Sequence, residues 1–128
     1  DDLWQRDTDA CCAIRKVAPL EHALASKSAW ITGLRRDDSA SRANSPVVSH
    51  DMLRDVIKIN PLANFTQTDY DLYLKAHGLD EHPLTSQGYT SIGCWPCTRP
   101  ATVDGDARSG RWAGTEKTEC GLHARVTA

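Results

Sequence analysis

Val56-Ile57-Lys58-Ile59-Asn60-Pro61-Leu62-Ala63-Asn64-Phe65-Thr66-Gln67-Thr68-Asp69-Tyr70-Asp71-Leu72-Tyr73-Leu74-Lys75-Ala76-His77-Gly78 holds the clearest passage from strand to helix in the chain. The β-branched Val56, Ile57 and Ile59 favour extended backbone, and Asn60-Pro61 closes the strand. Thr66 has the chemistry of a helix N-cap, with Asp69 three residues on to complete a capping box and Phe65 placed to staple against Tyr70. Tyr70, Tyr73, Leu74 and His77 recur at helical spacing and read as a buried stripe. Gly78 supplies the left-handed residue that ends such a helix. Asn64-Phe65-Thr66 also fits a glycosylation sequon, but in a cytosolic chain the cap explains the threonine.

Upstream, Ala29-Trp30-Ile31-Thr32 reads as a short buried strand, followed after Gly33 by a polar loop from Arg35 to Arg42. Loops after strands are common places for active-site groups. Val47-Val48 predicts one more strand. Nearer the start, Ala10, Ala13, Ile14 and Val17 fall at helical spacing, which predicts a helix capped by Thr8 or Asp9 with those residues as its buried stripe. Pro19 is expected to end it and to open a short helix from Leu20 to Ala25. Downstream of Pro83 the chain is rich in Gly, Pro, Cys and Arg with little periodicity. Ligands should order that part as much as packing does, and function should concentrate there.

The 128 residues are enough for one domain with a modest core, and 40% hydrophobic and 25% charged residues describe a globular chain. A formal net charge of -2, with no continuous basic stripe carrying interleaved aromatics, argues against nucleic acid as partner. No apolar run approaches the ~20 residues of a membrane-spanning helix, and the acidic start is not a signal peptide. The expected location is therefore cytoplasmic, with no membrane partner. A start without methionine that enters a patterned segment almost at once predicts truncation.

Cysteine carries the chemistry. Cys11-Cys12 lie in the first helix, Cys94-Trp95-Pro96-Cys97 forms a Cys-x-x-Cys loop, and Cys120 stands alone. Five cysteines in a cytosolic chain point to metal binding or thiol chemistry, and the natural partition is four plus one. Adjacent helical residues diverge by about 100°, which suits two irons of a cluster better than one tetrahedral ion. A [4Fe-4S] cluster on Cys11, Cys12, Cys94 and Cys97 is the preferred reading, with a structural zinc or a redox disulfide as alternatives. Lys16, four residues after Cys12, shares its helical face and can balance cluster charge.

Cys120 sits in Lys117-Thr118-Glu119-Cys120-Gly121-Leu122-His123, where a lysine and a histidine favour thiolate and Glu119 opposes it. It is the candidate nucleophile. Arg35, Arg36, Arg42, Arg108 and Arg111 supply guanidinium forks suited to phosphate or sulfate oxygens. His22, His50, His77 and His82 show no ligand spacing and are assigned no role.

Taken in order, Cys11-Cys12-Ala13-Ile14-Arg15-Lys16-Val17, Trp30-Ile31-Thr32-Gly33-Leu34-Arg35-Arg36, Lys58-Ile59-Asn60-Pro61-Leu62, Gly88-Tyr89-Thr90-Ser91-Ile92-Gly93-Cys94, Cys97-Thr98-Arg99-Pro100, Arg108-Ser109-Gly110-Arg111-Trp112 and Lys117 to His123 resemble the assimilatory sulfonucleotide reductases. With all four paired cysteines, the chain resembles the iron–sulfur branch of that family, which uses adenylyl sulfate (APS), rather than the branch using phosphoadenylyl sulfate (PAPS). The resemblance implies an α/β fold, adenine-nucleotide alpha-hydrolase-like (PP-loop), with a mainly parallel sheet. It implies that residues 1–128 are the C-terminal part of one such domain, lacking the phosphate-binding loop. It further implies thioredoxin-dependent reduction of APS to sulfite and AMP through an S-sulfocysteine on Cys120. Lys16, Arg42, Arg108, Arg111 and His123 match substrate-binding positions. A PAPS reductase that retains a cluster and a noncatalytic zinc-binding module are the rival readings, and a homo-oligomer is left open.

Overall fold

Asp7 sets where the first long helix starts. In the structure, a computed structural model that describes residues 2–123, a single turn α1 (Leu3–Arg6) precedes α2 (Thr8–Cys12), and the Asp7 side chain accepts from the Ala10 N–H at 2.9 Å. Asp7, rather than Thr8 or Asp9, is therefore the N-cap. Thr8 instead donates its hydroxyl back to the Trp4 carbonyl at 3.1 Å. Beyond Cys12 the chain stays helical, through a wide π turn (Ala13–Val17) and into α3 (Ala18–Leu24).

Pro19 does not end the helix. It occupies the first turn of α3, and the wide turn ahead of it accommodates the ring and the missing N–H. That turn also rotates the expected stripe. Ala13 and Ile14 are exposed, Ile14 by 63%, while Cys12, Lys16 and Val17 face inward.

Three short strands, β1 (Ala29–Ile31), β2 (Val48–Asp51) and β3 (Val56–Ile59), form a sheet in the order β1-β3-β2. β1 runs parallel to β3 with Trp30 opposite Lys58, and β2 runs antiparallel to it with Ser49 also opposite Lys58. The fold is α/β as expected, and the antiparallel β2 makes the sheet mixed. Since side chains alternate across a sheet, this register divides its two faces. Trp30, Lys58 and Ser49 share one face. Ile31, Ile57, Ile59 and Val48 share the other, where Ile31 is 72% and Val48 58% exposed. β1 is thus not the buried strand that its apolar composition predicts.

At the strand ends, buried Asn60 fastens the loops. Its Oδ1 accepts from the Thr32 hydroxyl at 2.5 Å, and its amide donates to the Pro46 carbonyl at 2.7 Å. The two ends of the connection from β1 to β2 are held together in this way, and Arg42 lies on that connection.

Helix α4 (Gln67–His77) has the expected termini. Thr66 and Asp69 form the capping box, and Gly78 adopts φ +61°. Its stripe, however, is not buried, and none of its residues reaches the core. Phe65 meets the edge of Tyr73 at 6.2 Å rather than Tyr70, which instead lies under the Arg35 guanidinium at 4.9 Å. Local signals fix the ends of a helix, whereas coverage of its face depends on what packs there.

After α4 the described chain runs in turns to His123, with short 3-10 turns at Thr85–Gln87 and Trp95–Cys97 and an antiparallel bridge between Thr98 and Arg111. Gly110 makes that bridge possible, because a side chain there would overlap the Arg99 carbonyl. Among the described residues no helix is long and apolar enough to cross a membrane.

Candidate functional site

Four thiols surround one chamber. Cys11 and Cys12 reach it from the end of α2, and Cys94 and Cys97 from the 3-10 turn, in which the Cys97 N–H donates to the Cys94 carbonyl at 2.9 Å. Thr98 secures the turn by donating its hydroxyl to the same carbonyl at 2.9 Å and accepting from the Gly93 N–H at 3.1 Å. The chamber has a volume of about 330 Å³, and Lys16, Arg111 and Trp112 are among the other residues that line it. Burial raises the Cys12 thiol above its ordinary value against the opposing charge of Lys117, and burial together with Cys94 raises that of Cys97. All five cysteines are free.

Among the described residues no three His, Cys, Asp or Glu side chains converge as ligands of a single ion. The thiols instead border a space, and Arg111 Nε and Trp112 Nε1 are buried beside it without hydrogen-bond partners. Four sulfur donors, lysine and arginine charges and two buried N–H groups fit a polynuclear iron–sulfur group, whose sulfides accept hydrogen bonds.

The second cavity is larger, about 1160 Å³, and is lined by charge. Arg42 comes from the loop after β1, Lys58 from the inner face of β3, and Lys117, Glu119, Cys120 and His123 from the C-terminal segment. Arg42 forks onto Glu119 (Nε–Oε1 2.6 Å, Nη2–Oε2 3.0 Å) and also binds Asp38 at 3.0 Å. Arg108 reaches Glu119 Oε2 at 3.1 Å and the Thr118 carbonyl at 2.9 Å. Burial pushes the Glu119 carboxyl up, but the Arg42 hydrogen bonds and the Arg108 charge outweigh it, so its pKa lies below the ordinary value.

His123 stacks on Trp30 with ring centroids 5.6 Å apart, and Lys58 Nζ lies 5.3 Å over the same indole. Burial, reinforced by the charges of Lys58 and Arg42, lowers the His123 pKa from 6.5 to about 4. Its ring is neutral at pH 7 and can donate a hydrogen bond without adding charge. Burial likewise lowers Lys58. Cys120 is 9% exposed, and it packs with Cys12 and Trp112 in one buried cluster. The chamber and the charged pocket therefore share a wall.

A family model described as "Phosphoadenosine phosphosulfate reductase domain" matches residues 1–100. The chain belongs to this reductase family. Proteins named adenosine 5'-phosphosulfate reductase match over most of the chain, with 55% identity over 121 residues in Streptomyces coelicolor and 51% over 123 in Mycobacteroides abscessus. These alignments cover 94% and 96% of the chain but 51% and 52% of those relatives. The chain thus spans about half the length of the curated relatives it matches. The crystal structure of a phosphoadenylyl-sulfate (PAPS) reductase from Candida auris, a phosphate complex, superposes with a TM-score of 0.63 at 31% identity, covering 75% of this chain and 46% of that one.

Within this reductase-family chain, the residues expected to bind substrate divide into groups. Arg42 and His123 line the charged pocket with Cys120. Lys16 and Arg111 line the thiol chamber, where Arg111 lies 4.6 Å over the Trp112 ring. Arg108 stands behind Glu119. Arg35 and Arg36 are engaged by the loop itself, Arg35 with Asp38 and Gln67 and Arg36 with the Ser45 carbonyl and Asn64. Sequence reasoning did not single out Lys58, although a lone lysine alternating with Ile57 and Ile59 on a strand is the signal of a charge aimed away from an apolar face.

Proposed function

We propose that the chain carries the cysteine-bearing half of an APS reductase that works in the cytoplasm in sulfate assimilation. The observation that carries this reading is a single pocket in which Cys120 meets Arg42, Lys58 and His123, backed by the four-cysteine chamber. Cys120, as thiolate, attacks the sulfate sulfur of APS. The bond from that sulfur to the bridging oxygen breaks, its electron pair leaves with AMP, and an S-sulfocysteine remains. A thioredoxin thiolate then attacks the Cys120 sulfur and expels sulfite. The second thioredoxin thiol resolves the mixed disulfide and regenerates Cys120.

Arg42 and Lys58 supply the positive charge that the leaving phosphate needs, and neutral His123 donates a hydrogen bond to the phosphosulfate. Arg108 acts through Glu119, while Lys16 and Arg111 act from the chamber side. Cys11, Cys12, Cys94 and Cys97 would hold a [4Fe-4S] cluster, which when bound supplies a fixed charge distribution beside the sulfate. The adenine contacts and phosphate-binding loop would come from the part of the relatives' length that this chain does not match.

The test begins with anaerobic purification and measurement of iron, labile sulfide and zinc. About four irons and four sulfides per chain are expected. One zinc and no iron in a folded sample would overturn the cluster and favour the zinc-module reading. With the upstream half of a relative supplied, APS should leave a sulfo group on the tryptic peptide carrying Cys120. A sulfo group appearing with PAPS but not APS would move the substrate assignment to PAPS.

A further inference from the structure

We propose that Glu119 is a positioning residue, whose bridge between Arg42 and Arg108 holds the Cys120 thiol in place against the wall of the charged pocket. The role of Cys120 as nucleophile rests on the function proposed above; the tether itself does not. Glu119 directly precedes Cys120, and both of its carboxylate oxygens are engaged. Oε1 accepts from Arg42 Nε at 2.6 Å, while Oε2 accepts from Arg42 Nη2 at 3.0 Å and Arg108 Nη2 at 3.1 Å. The same Arg108 nitrogen donates to the Thr118 carbonyl at 2.9 Å, so the backbone before the cysteine is fixed as well. These contacts are charge-assisted and mostly buried, with the Arg42, Arg108 and Glu119 side chains 11%, 10% and 24% exposed.

On the other side of Cys120, Gly121 turns the chain at φ +88°, and His123 stacks on Trp30. The thiol thus lies between a polar anchor and an aromatic one. Arg42 spans 77 residues of sequence to make the first anchor. Through Arg42 and Asp38 it ties the cysteine segment to the loop after β1. A nucleophile that must meet a bound anion and later a second protein needs a hold that is strong yet has a defined point of release. A carboxylate competing with the substrate for the same guanidinium groups has that property.

The bridge can be tested without substrate. The anaerobically purified protein is treated with iodoacetamide, and Cys120 labelling is followed on the tryptic peptide of residues 118–125, which contains no other cysteine. Glu119→Gln and Arg42→Gln are each expected to raise the labelling rate by about tenfold. The double variant should be no faster than the faster single one. Labelling of the peptide carrying Cys94 and Cys97 should not change, and Glu119→Asp should restore part of the protection.

A purely electrostatic influence on the thiol would move the two single variants in opposite directions, since one removes negative and the other positive charge, and that result would overturn the proposal. So would equal acceleration at Cys94 and Cys97, which would report general loosening. The Cys120 readout does not depend on APS turnover, and the Cys94 and Cys97 control is compared between proteins of equal measured iron content, so failure of the tether and failure of the reductase reading are separate results.

Discussion

The thiol chamber and the charged pocket lie back to back across Cys12, Cys120 and Trp112, and they differ in that the pocket contains internal ion pairs whereas the chamber is bordered by thiols. In the pocket Arg42 is paired with Glu119 and Asp38 and Lys117 with Asp9, Arg108 backs Glu119 from behind, and Lys58 lies over the Trp30 ring. In the chamber the thiols border an open space, and Arg111 Nε and Trp112 Nε1 lack partners. The pocket can therefore exchange an internal anion for an external one at small net cost. The chamber gains only from a group that satisfies it.

The largest effects should separate the two. Cys120→Ser should abolish formation of the sulfo adduct while leaving iron and sulfide content unchanged; loss of iron in this variant would mean that the shared wall is part of the cluster site. Cys97→Ser should do the reverse in its primary effect, removing most of the iron and lowering the unfolding temperature, because binding energy at such a site is folding energy. Retained iron in Cys97→Ser, measured by the same assay, would detach the Cys-x-x-Cys loop from the chamber.

A smaller effect probes the pocket alone. Arg42→Ala takes one partner from each of Glu119 and Asp38 and leaves them to Arg108 and Arg35, so denaturant unfolding should show a loss of about 2 kcal/mol with iron content preserved. Acid should weaken the same side. The unfolded His123 imidazole takes up a proton as the pH falls through 6.5, while the buried ring stays neutral down to about 4, so stability declines across that interval. Glu119 adds to the decline at lower pH, because its depressed pKa contributes stability that is present above the ordinary carboxylate range and lost as pH falls through the folded value. Urea midpoints at pH 7 and pH 5 should differ, and His123→Phe should reduce the difference. The smallest change lies far from both cavities, where Thr66→Ala removes the α4 cap at a cost of about 1 kcal/mol and should alter neither iron content nor Cys120 labelling.

The parts of the molecule legible in the sequence were those determined by neighbours in the chain. Thr66, Asp69 and Gly78 bound α4 as read, and Val56 to Ile59 form the strand as read. The gathering of the paired cysteines around one chamber also followed from their spacing and from the family resemblance. What sequence did not yield depends on distant partners. Ile14 sits at a helical core spacing but is turned outward by the π turn before Pro19. Arg35 and Arg36 have the same guanidinium chemistry as Arg42, and only the fold decides that Gln67 and Asn64 take the first two while Glu119 takes the third.

Trp112 is asked for two things that no single amino acid supplies. Its backbone lies at φ +49°, a region that favours glycine, while its indole closes the wall between the cavities under the cations of Arg108, Arg111 and Lys117. Glycine would relax the chain and open a hole; alanine would keep the strain and open nearly the same hole. The choice of tryptophan shows which demand prevailed, and it makes this position one where local conformational comfort has been given up to keep two chemistries in separate rooms.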